Sequence, residues 1–135
     1  MSRLPRLTPD AAVADIPEGG FVYLGGNAAT PRALANALAR RRSPERPFTV
    51  GHVLMLGEDP FKDPACHGHF RHHAWFVGPA DRPAVHAGDA DAVPVHLHRI
   101  PDVIRNGPTL DAALVMASPP DAHGFMSLGV EVMAA

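Results

Sequence analysis

The apolar residues of the chain occur in short runs separated by proline and glycine. Phe21–Leu24 is apolar and rich in β-forming residues, with the length of a buried strand. Phe48–Leu56 stays apolar almost throughout, which is typical of a strand covered on both faces. Three further strand candidates are His69–Val77, Asp91–Leu97 and Leu110–Ala117, of which the last is the predicted core strand of the second half.

Signals for helices alternate with these strands. Thr8 is a suitable N-cap with Pro9 at the first helical position, which predicts a short helix ending at Ile16. Thr30 and Pro31 repeat this signal for a second helix. Its apolar face consists of Leu34, Ala35, Leu38 and Ala39. Shorter helices are expected within Gly78–Ala90 and over Ile100–Arg105.

This alternation of strands and helices predicts an α/β fold with a parallel or mostly parallel sheet flanked by helices. Pro94 confines the strand that contains it to an edge or a bulge of that sheet. Ligands of such sheets collect at the carboxyl ends of the strands. Two loops follow strands in this way, Gly25–Thr30 and Ser118–Gly124, and we expect function there.

The first loop begins with Gly25, Gly26 and Asn27 and leads into a helix. Its backbone N–H groups are placed to face an oxyanion or a phosphate above the helix start. The glycine spacing matches neither a dinucleotide fingerprint nor a phosphate-binding P-loop, and no lysine follows. The alternative is that the two glycines simply permit a tight turn.

The second loop holds Ser118, Asp121, His123 and Gly124 within a few residues. A hydrolytic triad is not expected, because a short segment with two prolines cannot aim a serine at a histidine that also faces the carboxylate. We expect Ser118 and Asp121 to form side-chain to backbone hydrogen bonds that fix the turn.

A cluster of metal-ligand residue types begins after the second strand candidate and extends into the third. Zinc sites usually combine two ligand pairs from separate segments, and the nearest other histidines, His96 and His98, do not supply a matching pair. We therefore predict no metal site here and treat a metal-binding protein as the weaker alternative. The cluster comprises Cys66, His67, His69, His72 and His73.

Composition further limits the class of protein and the partners that the chain could have. The chain has 135 residues, is 46% apolar and carries a formal net charge of −2, which predicts one globular domain and no nucleic-acid surface. The single cysteine cannot form an internal disulfide, and no apolar run reaches the roughly 20 residues that span a bilayer. No membrane association is expected. With no targeting peptide in the first residues, we expect a cytoplasmic protein.

Several segments together resemble the N-terminal region of the acetyl-CoA hydrolase/transferase family of class I CoA-transferases. The most specific is S-P-P-D-x-H-G-x-x-S-L-G, which runs from Ser118 to Gly129. The other segments are GGNAATPRAL from Gly25, HFR from His69, FVG from Phe76, the run Arg82–Leu97 and the run Asp111–Val130.

The resemblance implies the first lobe of a two-lobed, usually homodimeric α/β enzyme. Members move CoA between carboxylic acids or hydrolyse acyl-CoA, and a glutamate attacks the thioester and becomes a glutamyl-CoA thioester. The implied substrates are an acyl-CoA thioester and a small carboxylate, with no bound cofactor. By the resemblance, Gly25, Gly26 and Asn27 line the acyl/CoA cleft, and the loop Ser118–Gly124 faces the other lobe.

The sequence departs from the family pattern in length and in its glutamates. None of the four glutamates matches the context of the family nucleophile: Glu18, Glu45, Glu58 and Glu131. We therefore expect residues 1–135 to form an N-terminal domain that lacks the catalytic lobe and is inactive alone. The main alternative is a non-catalytic assembly module that pairs with a separately encoded second lobe or with a second copy of itself.

Overall fold

The computed structural model describes residues 5–130 and residue 132. Five short strands form one sheet, and every neighbouring pair is parallel, in the order β4-β3-β2-β1-β5. The predicted α/β fold with a parallel sheet is confirmed. The strands are β1 (Phe21–Leu24), β2 (Phe48–His52), β3 (Phe70–Ala74), β4 (Ala90–Ala92) and β5 (Ala112–Leu114).

Helices and single 3₁₀ turns connect the strands. Thr8 caps the first helix as predicted, because its side chain accepts a hydrogen bond from the Ala11 N–H. The 3₁₀ turns are Pro60–Lys62, Pro64–Cys66 and Leu97–Arg99. The helices are α1 (Pro9–Ala14), α2 (Arg32–Arg40), α3 (Arg82–Ala87) and α4 (Ile100–Asn106).

The start of α2 differs from the prediction. Thr30 does not cap the helix, because its hydroxyl donates to the Asn27 carbonyl at 2.9 Å and its N–H turns back to the same residue. Pro31 occupies the N-cap position instead. The predicted apolar face is confirmed, since Ala35, Leu38 and Ala39 are buried.

Both faces of the sheet are covered, as a parallel sheet requires. Side chains alternate along β1, so Val22 and Leu24 join the core beneath α1 and α2, whereas Phe21 and Tyr23 join a second core that includes Ile100 of α4. The Arg41 guanidinium, just after α2, links the two helices of the first core. It donates to the carbonyls of Val13, in the last turn of α1, and of Ile16, just after that helix.

Three strand predictions were too long. β2 ends at His52, and Met55 instead forms an isolated bridge to Asn27 of the first loop. β3 ends at Ala74, three residues before the predicted end at Val77. β4 has three residues and lies at the sheet edge, which confirms the position that Pro94 predicts.

The prediction that Leu110–Ala117 is a core strand was wrong. Only Ala112–Leu114 pairs, and it forms the other edge of the sheet beside β1. Leu114 is buried, but Ala113 is exposed. Pairing ends where the Gly25 N–H donates to the Leu114 carbonyl, and beyond that point the chain turns away from the sheet.

A side chain fixes the start of this edge pairing. Asp111 Oδ2 accepts from the Phe21 N–H at 2.8 Å, and the Asp111 N–H donates to the Phe21 carbonyl at 2.9 Å. These two bonds join the chain just before β5 to the first residue of β1 and so fix the register in which the two strands pair.

Replacing Asp111 by alanine should lower the free energy of unfolding by about 1–2 kcal/mol, because the buried Phe21 N–H loses its acceptor. Urea denaturation followed by circular dichroism measures the change. Asp111→Asn keeps an acceptor oxygen and serves as the control. An alanine variant as stable as the parent chain would contradict this role.

Candidate functional site

The two loops predicted to carry function leave neighbouring strands at the same edge of the sheet. The first follows β1, and the second follows β5, which pairs directly with β1. The bond from the Gly25 N–H to the Leu114 carbonyl joins the two points of departure. The structure therefore places the start of the first loop beside the residues that lead from β5 toward the second.

The first loop is held against the chain that follows β2. The Asn27 N–H donates to the Leu54 carbonyl at 2.7 Å, and Asn27 has a left-handed backbone with φ of 49°. A Cβ on Gly26 would lie 2.6 Å from the same Leu54 oxygen. Gly26 is therefore required for this close approach of two backbones.

Four of the six backbone N–H groups of the first loop are not available to an anion. Those of Gly25, Asn27, Ala29 and Thr30 all donate to carbonyl oxygens of the protein itself. Because each donates inside the protein, these groups do not face a ligand. The tight turn, the alternative interpretation, describes this part of the loop.

The second loop closes on itself through its own polar groups. The Ser118 N–H donates to the Ser127 carbonyl at 2.8 Å, and the Ser118 hydroxyl accepts from the Ser127 N–H at 2.9 Å. Asp121 Oδ1 accepts from the N–H groups of His123 and Phe125. The prediction that Ser118 and Asp121 fix the turn is confirmed, and Gly124 supplies a left-handed residue with φ of 88°.

Apolar side chains directly after this loop face solvent. Phe125 is 74% exposed and Met126 is 48% exposed. Beyond the loop, Val130 is 81% exposed. A cluster of exposed apolar side chains is typical of a surface that contacts another part of a protein.

The structure does not bring the five metal-ligand residue types between Cys66 and His73 together. Cys66 is buried with its Sγ near the Ala39 carbonyl at 3.5 Å, and burial raises the pKa of its thiol. His67 is exposed and His69 is partly buried. His73 points to the other face of the sheet, where its Nε2 lies 3.2 Å from Asp91 Oδ2.

One group of possible metal ligands does converge among residues 5–130 and 132: His52, His72 and Asp81. The sequence analysis named His72 but missed the other two. The available signal for His52 was a lone polar residue inside the apolar run of β2, and Asp81 directly precedes α3. Neither signal shows which residues meet across the sheet.

Burial controls the protonation of this group. His52 is fully buried, and desolvation together with the neighbouring His72 lowers the pKa of its imidazole to about 3. Desolvation also lowers the pKa of His72, against the opposing effect of Asp59 and Asp81. Desolvation raises the pKa of Asp81. Both imidazoles are therefore neutral at pH 7.

The profile of the acetyl-CoA hydrolase/transferase N-terminal domain matches residues 5–135. The chain belongs to this family. The match confirms the resemblance carried by the loops after β1 and β5.

Similar proteins of this family include characterised CoA-transferases. The chain is 30% identical over 125 residues to the 4-hydroxybutyrate coenzyme A transferase of Clostridium kluyveri, a match that covers 92% of the chain and 29% of that protein. It is 36% identical over 126 residues to a succinyl-CoA:acetate/propanoyl-CoA:succinate CoA transferase of Fasciola hepatica, covering 91% of the chain and 26% of that protein.

Solved structures of the family share the fold. RipA from Yersinia pestis matches with a TM-score of 0.77 and 27% identity, covering 92% of this chain and 31% of that chain. The 4-hydroxybutyrate CoA-transferase from Porphyromonas gingivalis gives a TM-score of 0.68 at 28% identity, covering 92% and 27%. This member of the family thus spans less than a third of the length of these relatives.

Among the residues that the structure describes, no helix is long and apolar enough to cross a bilayer.

Replacing Asp121 by alanine should open the second loop locally, because two N–H groups lose their shared acceptor. We expect the amides of His123 and Phe125 to exchange roughly tenfold faster, since about 1.4 kcal/mol corresponds to a factor of ten. Hydrogen–deuterium exchange followed by NMR measures this. Asp121→Asn retains the acceptor oxygen, so the same two amides should exchange more slowly in it than in the alanine variant. Equal exchange rates in both variants would contradict the role of Asp121 as their acceptor.

Proposed function

We propose that this chain forms the first lobe of an enzyme that transfers CoA between an acyl-CoA and a small carboxylic acid. The observation that carries the proposal is the family match over residues 5–135, which includes both loops at the β1/β5 edge. The names of its relatives, which transfer CoA to or from 4-hydroxybutyrate, succinate, acetate or propanoate, support this substrate class.

The loop after β1 is proposed to line the acyl/CoA cleft through Gly25, Gly26 and Asn27. Gly26 and Gly25 are buried and Asn27 is partly exposed, so a ligand at this edge would meet Asn27 and the backbone beside it. The absence of a side chain at Gly26 lets the loop lie flat against the Leu54 carbonyl. The loop thus lies beyond the carboxyl end of β1, the position where ligands of parallel sheets bind.

The loop after β5 is proposed to face the second lobe through Ser118, Asp121, His123 and Gly124. Its internal hydrogen bonds give it a fixed shape without help from the rest of the domain. Its exposed Phe125 supplies apolar surface suited to burial in a contact between lobes.

The nucleophile is proposed to come from outside these residues. Glu18 and Glu45 are exposed and precede β1 and β2, at the opposite end of the sheet from the two loops. Glu58 follows β2 but is also exposed. Glu131 lies outside the described residues. Glu18 and Glu45 thus lie away from the proposed cleft, whereas Glu58 lines a surface cavity together with Thr30, the last residue of the first loop.

In the proposed reaction, a glutamate carboxylate of the second lobe attacks the thioester carbonyl and expels the CoA thiolate. The thiolate then attacks the resulting anhydride, which gives a glutamyl-CoA thioester and releases the first carboxylic acid. The incoming carboxylate reverses the sequence and leaves as the new acyl-CoA. This covalent route divides one difficult transfer into easier steps.

A chimera tests the proposal. The 125 matched residues of the Clostridium kluyveri 4-hydroxybutyrate coenzyme A transferase would be replaced by the corresponding residues of this chain. We expect the folded chimera to catalyse CoA transfer from acetyl-CoA to 4-hydroxybutyrate, measured by mass spectrometry of the CoA esters. A folded, correctly assembled chimera without transfer would contradict the proposal.

The 135-residue chain alone should show no transfer above the uncatalysed rate and no covalent CoA adduct. The same mass-spectrometric measurement checks this, with the parent relative as the positive control. Turnover by the chain that disappears in Glu58→Gln would show that the nucleophile lies within it.

The exposed apolar side chains also favour the second candidate, a separately encoded assembly module. In that case the chain would bind a polypeptide carrying the second lobe, or a second copy of itself, without chemistry of its own. Sedimentation analysis of the chain alone tests pairing with a second copy, because a dimer sediments faster than a monomer. Co-purification with the remaining two thirds of a relative tests the other form of pairing.

A further inference from the structure

A buried group of three polar side chains lies on the face of the sheet away from α4. His52 ends β2, and His72 lies in β3 opposite Val50. Because side chains two residues apart share a face, the register places both imidazoles on the same side of the sheet. Asp81, which directly precedes α3, reaches them from the loop after β3.

The three ligand atoms converge on one point. His52 Nε2 lies 2.9 Å from His72 Nδ1 and 3.6 Å from Asp81 Oδ1, and all three atoms lie within 4.8 Å of one another. A tetrahedral zinc ion with bonds near 2.0–2.1 Å separates its ligand atoms by roughly 3.3 Å. The two shorter distances bracket this value, so small side-chain movements would fit an ion.

The charge state of the group also suits a cation. Asp81 is 3% exposed, and its Oδ2 accepts from the Gly78 N–H, whereas Oδ1 faces the imidazoles. Desolvation makes a buried carboxylate without a cationic partner costly. Each neutral imidazole has one unprotonated ring nitrogen, and metal binding moves the proton shared between His52 Nε2 and His72 Nδ1 to the outer nitrogen of the donor ring.

The surroundings supply access and further charge. Asp81 and His72 form part of the wall of a cavity of about 590 Å³. Asp59 and Lys62 line the same cavity and act electrostatically on His72, and the Phe61 ring packs on that imidazole at a centroid distance of 5.4 Å. The Lys62 ammonium donates to the Ala80 carbonyl.

We propose that His52, His72 and Asp81 bind one divalent metal ion of the zinc class. His52 Nε2, His72 Nδ1 and Asp81 Oδ1 are the protein ligands, and a fourth position opens toward the cavity. Two nitrogen ligands and one carboxylate oxygen are a ligand set that zinc accepts. This inference goes beyond the proposed CoA transfer and does not depend on it.

The hydrogen bonds around the ligating side chains indicate how tightly this site would bind zinc. A metal at Nε2 leaves the proton of His52 on Nδ1, which has no hydrogen-bond partner among the residues that the structure describes. Loss of such outer support typically weakens metal binding about 10–100-fold. We therefore expect the site to bind zinc more weakly than a fully supported structural site.

Cobalt provides the experiment. The 135-residue chain, made without a polyhistidine tag and stripped with a chelator, is titrated with Co²⁺, whose visible absorption reports a low-coordinate nitrogen and oxygen site. We expect saturation at one ion per chain and loss of the absorption when Zn²⁺ is added. Absence of that absorption and of stoichiometric Zn²⁺ in the unmodified chain would overturn the proposal.

Variants identify which histidines are responsible. His72→Gln and Asp81→Asn should each weaken Co²⁺ binding by more than about tenfold, the lower limit seen even for residues outside the ligand set. His73→Gln is the matched control, since its imidazole lies on the other face of the sheet. The double change His96→Gln/His98→Gln removes an exposed pair of stacked imidazoles and should also leave binding unchanged.

Binding that survives His72→Gln but is lost in the His96→Gln/His98→Gln variant would show adventitious surface binding only and would overturn the proposal. Circular dichroism confirms that each variant is folded before its affinity is compared. Because the titration of the unmodified chain already decides whether an ion binds, an unfolded His72 variant does not remove the test.

Discussion

The structure depends above all on burial of both faces of a parallel sheet. Strand β1 satisfies this demand by directing alternate apolar side chains to two separate cores, one beneath α1 and α2 and one beneath α4, and Phe48 and Val50 of β2 extend the first core. With both faces occupied by helices, the loops at the carboxyl ends of the strands are the part of the layer left open to a ligand or to another lobe. The location of the candidate site thus follows from the same packing that forms the core.

Many polar groups of the two loops bond to other parts of the protein, whereas in a ligand site they would face the ligand. In the first, four of the six backbone N–H groups donate to carbonyls of the protein, and Gly26 permits direct contact with the Leu54 oxygen. In the second, Asp121 and Ser118 hold a preformed turn that exposes Phe125. Both features agree with the proposal that these loops form one side of a cleft and a contact surface, with the reactive group supplied by another lobe.

The pair His52 and His72 shows how a parallel sheet can also build a polar group inside a core. The register of β2 and β3 fixes their separation, and Asp81 completes the group from a loop. Burial keeps both imidazoles neutral, so the group offers lone pairs where most cores offer hydrocarbon. Such an arrangement is costly unless the hydrogen bond between the rings or a bound cation offsets the desolvation.

The sequence by itself determined the alternation of strands and helices, the bounds of β1, the Thr8 cap, the edge position of the strand before Pro94 and the closure of the second loop by Asp121, because each depends on neighbours a few residues away. It also carried the family resemblance. Only the tertiary structure decided that β5 is an edge strand, that Thr30 bonds to Asn27 instead of capping α2, and that His72 meets His52 and Asp81 while Cys66 and His73 do not. These outcomes depend on which strands become neighbours and in which register, and the hydrophobic pattern of one segment contains no information about its partner.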